Sequence, residues 1–292
     1  MAKRVVLFLL TNLAIVVTVS LILSLLGVGQ YVGPQGLDIR SLALFCFVWG
    51  MAGSFISLQI SRWSAKRMTG MKLVNGRTGD ATADWLYSAV EQLTRKANLP
   101  MPEVGIYDSP EVNAFATGPS KSRSLVAVSS GLLRAMRREE VEGVLAHEVA
   151  HIANGDMVTM TLLQGVVNAF VMFLARIIAY ALTSRGSRDD RGAAPSFMLV
   201  MILELVLGVI GMIVVSWFSR QREFRADHGG ATLAGKADML AALRRLGASR
   251  ELIDPRHEAL ATMKVSGKWT GLFSTHPPLE QRIAVLERAQ IS

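Results

Sequence analysis

Two histidines four residues apart, with a glutamate directly after the first, carry the most explicit chemistry in this chain: His147-Glu148-Val149-Ala150-His151. On an α-helix, positions i and i+4 lie on one face about one turn apart, so both imidazoles can reach a single metal ion. Glu148 then points at a water on the open side of that ion, where a carboxylate serves as a general base. A pair of buried histidines filling a core would need no glutamate between them. Val141, Val144, Leu145, Val149 and Ile152 recur at helical spacing around the motif, and Asn154-Gly155 is a helix stop. The pattern therefore predicts a helix from about Arg138 to Ala153.

A catalytic zinc takes three protein ligands and keeps one position open. The single cysteine, Cys46, lies in an apolar run, so the third ligand has to be a carboxylate or a histidine. Glu223 and Asp227 are spaced i and i+4 in Arg222-Glu223-Phe224-Arg225-Ala226-Asp227. Glu223 is placed to bind the metal, and Asp227 to accept a hydrogen bond from the far nitrogen of a ligating histidine. A solvated charged face is the competing reading, because Arg220, Arg222 and Arg225 surround these acids. His228 competes as a ligand but sits off the Glu223 face.

The elements that must position these residues are unusually apolar. Of 292 residues, 51% are hydrophobic and 18% charged, with a mean hydropathy of +0.35, which points to a membrane protein carrying a polar part. The net charge of +8 comes from basic residues beside apolar runs, which fits membrane topology and not nucleic-acid binding. Four runs are long enough to span a bilayer: residues 5–26, 41–60, 157–183 and 196–218. The first is too long for a signal-peptide core and no A-x-A site follows it, so it reads as an uncleaved span. Lys3 and Arg4, then Arg62 to Arg77, then Arg220 to Arg225, put both termini on the cytoplasmic side; the basic loop at 184–194 is a weak exception. Two crossings separate His151 from Glu223 and return the chain to one side, so both can meet one ion. The short distances from His151 to Met157 and from Phe218 to Glu223 place that ion within roughly 10 Å of the membrane surface.

The division is thus a hairpin over 1–61, a polar part over 62–156 with the motif helix, a second hairpin over 157–218, and a polar part over 219–292. Within the first polar part, Thr82 to Ala97 reads as an amphipathic helix, and Val104–Tyr107 and Ser124–Val128 as strands. Between the strands, Asn113-Ala114-Phe115-Ala116-Thr117-Gly118 is either a loop or an exposed edge strand that binds a peptide by backbone pairing. The later polar part reads as helical over Lys236–Leu246 and Leu279–Ala289, with a turn at Ser274-Thr275-His276-Pro277-Pro278.

These segments together resemble the HtpX family, membrane-integrated zinc metalloproteases of bacteria related more distantly to the CAAX-processing prenyl proteases. The resemblance rests on the Asn113–Gly118 segment, Ala146–His151 with Asn154-Gly155-Asp156, Arg222–Asp227 and Ser274–Pro278, and covers nearly the whole chain. It implies a mainly α membrane protein with a zincin-like α+β domain containing a small sheet, and one zinc ion per chain held by His147, His151 and Glu223, with Glu148 as the acid/base. It also implies a cytoplasmic active site in the bacterial inner membrane, misfolded or unfolded membrane proteins as substrates, and a role in quality control under stress. For Asn113, Ala114, Phe115 and Ala116 it favours the substrate-binding edge strand. It favours a catalytic place for His276 as an oxyanion donor over a surface turn histidine. The rival class is a non-catalytic protein, either a metal transporter or an assembly factor with structural zinc. Transporters hold their ligands at the bilayer midplane, whereas these lie outside the apolar runs, and no fourth ligand closes the site.

Two charges remain inside the apolar runs. Arg176 lies seven residues before Thr183 and Glu204 eight after Ser196, at matching depth in an antiparallel hairpin. Intramembrane ionisable groups pair or face the bundle interior, so these two should meet. The competing arrangement has Arg176 snorkelling outward and Glu204 protonated.

Overall fold

The computed structural model describes residues 32–33, 36–186, 196–253 and 274–291, and its helices and strands follow the apolar periodicity of the chain. After a two-residue ladder, α1 (Ile39–Thr69) leads to β1 (Lys72–Val74), α2 (Ala81–Lys96), β2 (Glu103–Tyr107), β3 (Ala114–Ser120) and β4 (Arg123–Ser129). Then follow α3 (Ser130–Ala135), α4 (Arg138–Asn154), α5 (Asp156–Gly186), α6 (Phe197–Ala234), α7 (Lys236–Ile253) and α8 (Leu279–Arg288). Two compact units form: residues up to Leu58 with Met160–Val215, and Gln59–Thr159 with Ser216 onward.

Among the described residues three helices are long and apolar enough to cross a membrane, carried by α1, α5 and α6. They correspond to the second, third and fourth expected spans; the first, residues 5–26, lies outside the described residues. Their exposed side chains include Phe47, Phe55, Phe170, Leu205 and Ile210, the face that a lipid solvent accepts without penalty. Small residues let α1 and α5 touch through their backbones: a Cβ on Gly50 would stand 2.6 Å from the Ala169 nitrogen. Arg176 and Glu204 form an ion pair between α5 and α6, and the guanidinium lies over the Phe45 ring at 5.4 Å.

In the other unit the sheet runs β1-β2-β4-β3, with β2 parallel to β4 and the outer pairs antiparallel. Val126 and Val128 of β4 and Val104 of β2 join Leu86, Val90 and Leu93 of α2 and Leu145, Val149 and Ile152 of α4 in one core. Each such side chain contributes about 1.5–3 kcal/mol on burial. Two of the strands were expected. Residues 114–118 belong to a third, β3, with Asn113 just before it; among the described residues β3 is paired on one side only. Pro119, which has no N–H to donate, is tolerated there because the outer edge needs no ladder partner. The short strand β1 carries no alternating signature and was not anticipated.

If the Arg176–Glu204 pair fixes the register of α5 against α6, Arg176→Leu and Glu204→Leu will each lower thermal stability, and the double variant less than their sum. Differential scanning of the detergent-solubilised protein measures the cycle; additive losses would exclude coupling.

Candidate active site

Helix α4 opens with Glu140 reaching back to accept a 2.8 Å hydrogen bond from the Arg137 backbone N–H. It ends at Gly155, whose φ of 69° is left-handed and whose N–H caps the His151 and Ile152 carbonyls. Helix α5 starts at the next residue. That tight break brings the Asp156 carboxylate back onto His151 Nδ1 at 2.7 Å. From α6, Asp227 meets His147 Nδ1 at 3.0 Å. Both imidazoles are thus held by a carboxylate on the far nitrogen, which orients the rings and turns both Nε2 atoms toward one point.

At that point the two Nε2 atoms stand 3.1 Å apart, and the Glu223 oxygens lie 3.4 Å from each. The ligand atoms of His147, His151 and Glu223 all fall within 4.8 Å of one another, and the three residues are buried. Two lone pairs aimed at each other over 3.1 Å repel unless a positive charge lies between them. A tetrahedral site with bonds of 2.0–2.1 Å has edges of about 3.3–3.4 Å, close to these separations. The donor set therefore fits a metal ion.

Glu223 and Asp227 are 1% and 2% exposed, so the solvated-face reading of these acids is wrong. His228 is exposed and outside the cluster. His276 projects a largely exposed ring whose Nε2 lies 3.7 Å from Glu223 Oε2, beside the cluster and not within it. Its turn is held by Ser274, whose hydroxyl donates to the His276 carbonyl and whose own carbonyl accepts from Arg220. Asn113, Ala114, His147, Glu148, Glu223 and His276 share one cavity of about 490 Å³. Phe115 and Ala116 continue the edge strand beyond its lining.

Two residues escaped the sequence reading of roles. Asp156 was visible as the acid following an Asn-Gly helix stop. Arg282 offered no signal: it sits on the terminal helix α8, 55 residues beyond Asp227, and is 6% exposed. Its guanidinium grips both Asp227 oxygens, with Nε at 2.8 Å from Oδ2, and places Nη1 3.5 Å from Glu223 Oε2.

The electrostatics follow from this crowding. Burial opposes ionisation of Glu223, but hydrogen bonds from His147 and His151 outweigh it and hold the carboxyl far below its usual range. Burial likewise opposes ionisation of Asp227, and Arg282 and His147 overcome it. For His151 burial disfavours the charged ring, yet Asp156 and Glu223 push its pKa up to about 9.

Packing also decides whether the ligands meet. A Cβ on Gly230 of α6 would stand 3.0 Å from the His147 nitrogen, so glycine there lets the Glu223 helix lie against the motif helix. Gly230→Val will separate them, costing about 1–3 kcal/mol of stability and lowering metal affinity together, as read by thermal unfolding and metal content. Metal retention equal to wild type would show that the helices meet by other means.

A second expectation concerns pH in the metal-free protein. The folded pKa of His151 lies above its ordinary 6.5, so its contribution to stability is full below 6.5 and lost as pH rises through about 9. Glu223 and Asp227 are depressed, so theirs is present above the ordinary carboxylate range and lost on acidification. Metal-free protein will therefore lose melting temperature between pH 6.5 and 9, while metal-loaded protein, whose ligands have released their protons, will not. Parallel losses in both forms would refute the coupling.

Residues 80–290 match the model of peptidase family M48. The chain is 51% identical to a protease HtpX homolog of Thiobacillus denitrificans, over 99% of this chain and all of that protein. It is 52% identical to the homolog of Bacillus subtilis, over 98% of this chain and 99% of the relative. The crystal structure of S. mikatae Ste24p shares the fold with a TM-score of 0.63 at 20% identity, covering 98% of this chain and 66% of that one. The chain therefore belongs to peptidase family M48, a metalloprotease whose described residues include three helices long and apolar enough to cross a membrane.

Proposed function

We propose that this protein is a zinc-dependent endopeptidase of the bacterial inner membrane that cuts misfolded or damaged membrane proteins at the cytoplasmic face, as part of quality control under stress. One observation carries the reading: three buried ligand groups converge beside Glu148 in a cavity that also takes in the start of a strand edge that is unpaired among the described residues.

His147, His151 and Glu223 hold the zinc, a borderline cation that suits two imidazoles and a carboxylate. When bound, zinc polarises the scissile carbonyl and acidifies a water. Ala114, Phe115 and Ala116 lie on an edge open to pairing with an extended substrate, which requires an unfolded segment, and Asn113, whose backbone is bonded to Ser129, lines the cavity where that edge begins. Glu148, only half-buried, takes the proton of the attacking water and returns it to the leaving nitrogen. Asp156 and Asp227 keep the two imidazoles in one tautomer, and Arg282 holds Asp227 in place. His276, exposed at the rim of the same cavity, donates to the oxyanion. The cytoplasmic orientation follows from the basic residues at 62–77 and 220–225. The polar parts over 62–156 and 219–292 together form the protease domain, and the apolar segments 1–61 and 157–218 anchor it.

The test separates binding from chemistry. Glu148→Ala will keep near-stoichiometric zinc and lose proteolysis of an unfolded membrane protein by at least about a thousandfold. Glu223→Ala will lose most of the zinc by elemental analysis. Stoichiometric zinc in Glu223→Ala, or undiminished cleavage by Glu148→Ala, would falsify the assignment.

A further inference from the structure

Tyr107, the last residue of β2, carries a polar group with no part in the catalytic steps. The residue is 8% exposed, and its hydroxyl oxygen meets no partner in hydrogen-bonding geometry among the described residues. Water compensates an exposed phenol for a missing partner, but a buried one is left unpaired at a cost in stability. Phenylalanine would serve the packing better. A tyrosine here therefore answers to something other than the fold.

The register of the sheet shows what surrounds it. Tyr107 pairs with Ser129 of β4, and the Ser129 N–H donates to the Asn113 carbonyl at 2.9 Å, just ahead of β3. The three residues lie in one row across the sheet, and the Tyr107 ring reaches over β4 to within 5.8 Å of the Phe115 ring. Burial raises the pKa of the phenol, and the side chains of Asn113 and Ser129 oppose that rise.

Ser129 cannot take the phenol's proton. A hydroxyl has one donor and two lone pairs. Ser129 Oγ donates to the Glu111 carbonyl at 2.6 Å and accepts from the N–H groups of Asn113 and Leu132 at 3.2 and 3.0 Å. Its capacity is filled. Asn113 differs: Ser129 pins its backbone at both the N–H and the carbonyl, while the residue is exposed and lines the cavity beside Glu148. Its carboxamide oxygen is the acceptor left open to Tyr107.

We infer that Tyr107 is a positioning residue: when a substrate enters, its hydroxyl donates to Asn113 Oδ1 and so turns the Asn113 Nδ2–H group toward a backbone carbonyl of the substrate. The inference rests on the proposed binding of substrate at Asn113. A carboxamide has an acceptor end and a donor end, and either can face the cavity. The phenol decides between them, because the reversed amide would leave the phenolic proton without an acceptor. The hydroxyl stays unpaired in the free protein, and the bond it gains on binding adds to the affinity for substrate.

The experiment uses the full-length, zinc-loaded protein in detergent and one unstructured peptide that the wild type cleaves in a Glu148-dependent way. Tyr107→Phe removes a single oxygen. It will retain zinc and melt at or above the wild-type temperature, while KM rises about three- to tenfold and kcat stays within about twofold. That is the scale of one hydrogen bond made equally in the ground and transition states. Asn113→Ala will raise KM at least as much, and adding Tyr107→Phe to it will cost nothing further. A wild-type KM in Tyr107→Phe, or losses that add in the double variant, would overturn the inference. A lower melting temperature, lost zinc or failure to fold in Tyr107→Phe would overturn it too, since the hydroxyl would then be a structural donor. An unchanged KM in Asn113→Ala would remove the binding role of Asn113 and this inference with it, leaving the protease reading intact. Absence of any Glu148-dependent cleavage would overturn both.

Discussion

The structure depends on one electrostatic constraint: two imidazole nitrogens and a carboxylate are buried pointing at one another. Around them the fully buried acids are Asp156, Glu223 and Asp227, and the buried fixed cation is Arg282. With both imidazoles neutral, the three carboxylates face the guanidinium of Arg282 and, from the margin of the site, that of Arg222 at 3.2 Å from Glu223, so the acids still outnumber the fixed cations. A metal cation answers that excess. Without one, protons must do so, which is why His151 is pushed up to about 9 while Glu223 is held far down. The same residues that create the demand for a cation also fix where it sits, because each imidazole is locked by its own acid.

That arrangement constrains the helices more than the helices constrain it. Glu223 must approach α4 to within ligand distance, so α6 carries Gly229 and Gly230 where it crosses the motif helix, with Cβ positions 2.9 Å from Ala150 Cβ and 3.0 Å from the His147 nitrogen. Gly143, on α4, similarly admits α7, since a Cβ there would stand 2.6 Å from the Asp238 carbonyl. Glycines inside helices weaken them by roughly 0.5–1 kcal/mol each. Here the loss is offset by close packing that no larger residue permits.

What was legible in the sequence was what is local. The motif helix, its glycine stop, the i, i+4 acids on α6 and the amphipathic face of α2 all leave a period or a spacing that helical geometry explains. The pairing of Arg176 with Glu204 was legible for the same reason, since equal distances from a hairpin turn put two charges at one depth. Arg282 was not, because its role is set by how α8 docks on α7 through Leu286, Met239 and Leu243, a contact with no local signature. Strand β1 was missed because three residues cannot display an alternation, and its existence follows from antiparallel pairing with Val104 to Ile106. The edge position of β3 was open in the sequence for a related reason: which strand lies outermost depends on the crossover that sets β2 beside β4, not on β3 itself.

Two ion pairs, one partly and one fully buried, show how differently one kind of interaction is used in the two units. Arg176 and Glu204 form their pair among apolar side chains with Phe45 against the guanidinium; neither charge contacts a reacting group, and what the pair joins is one helix to the next. Arg282 and Asp227 sit where removing one partner would strand the other in a crowded, dehydrated site, a loss of about 3–5 kcal/mol in comparable cases. Asp227, however, also accepts from His147, so its position transmits directly to a ligand atom. Replacing the first pair with apolar residues of similar size can preserve the fold. Replacing the second cannot preserve the site, since the orientation of His147 depends on a carboxylate that the guanidinium helps to keep ionised and in place.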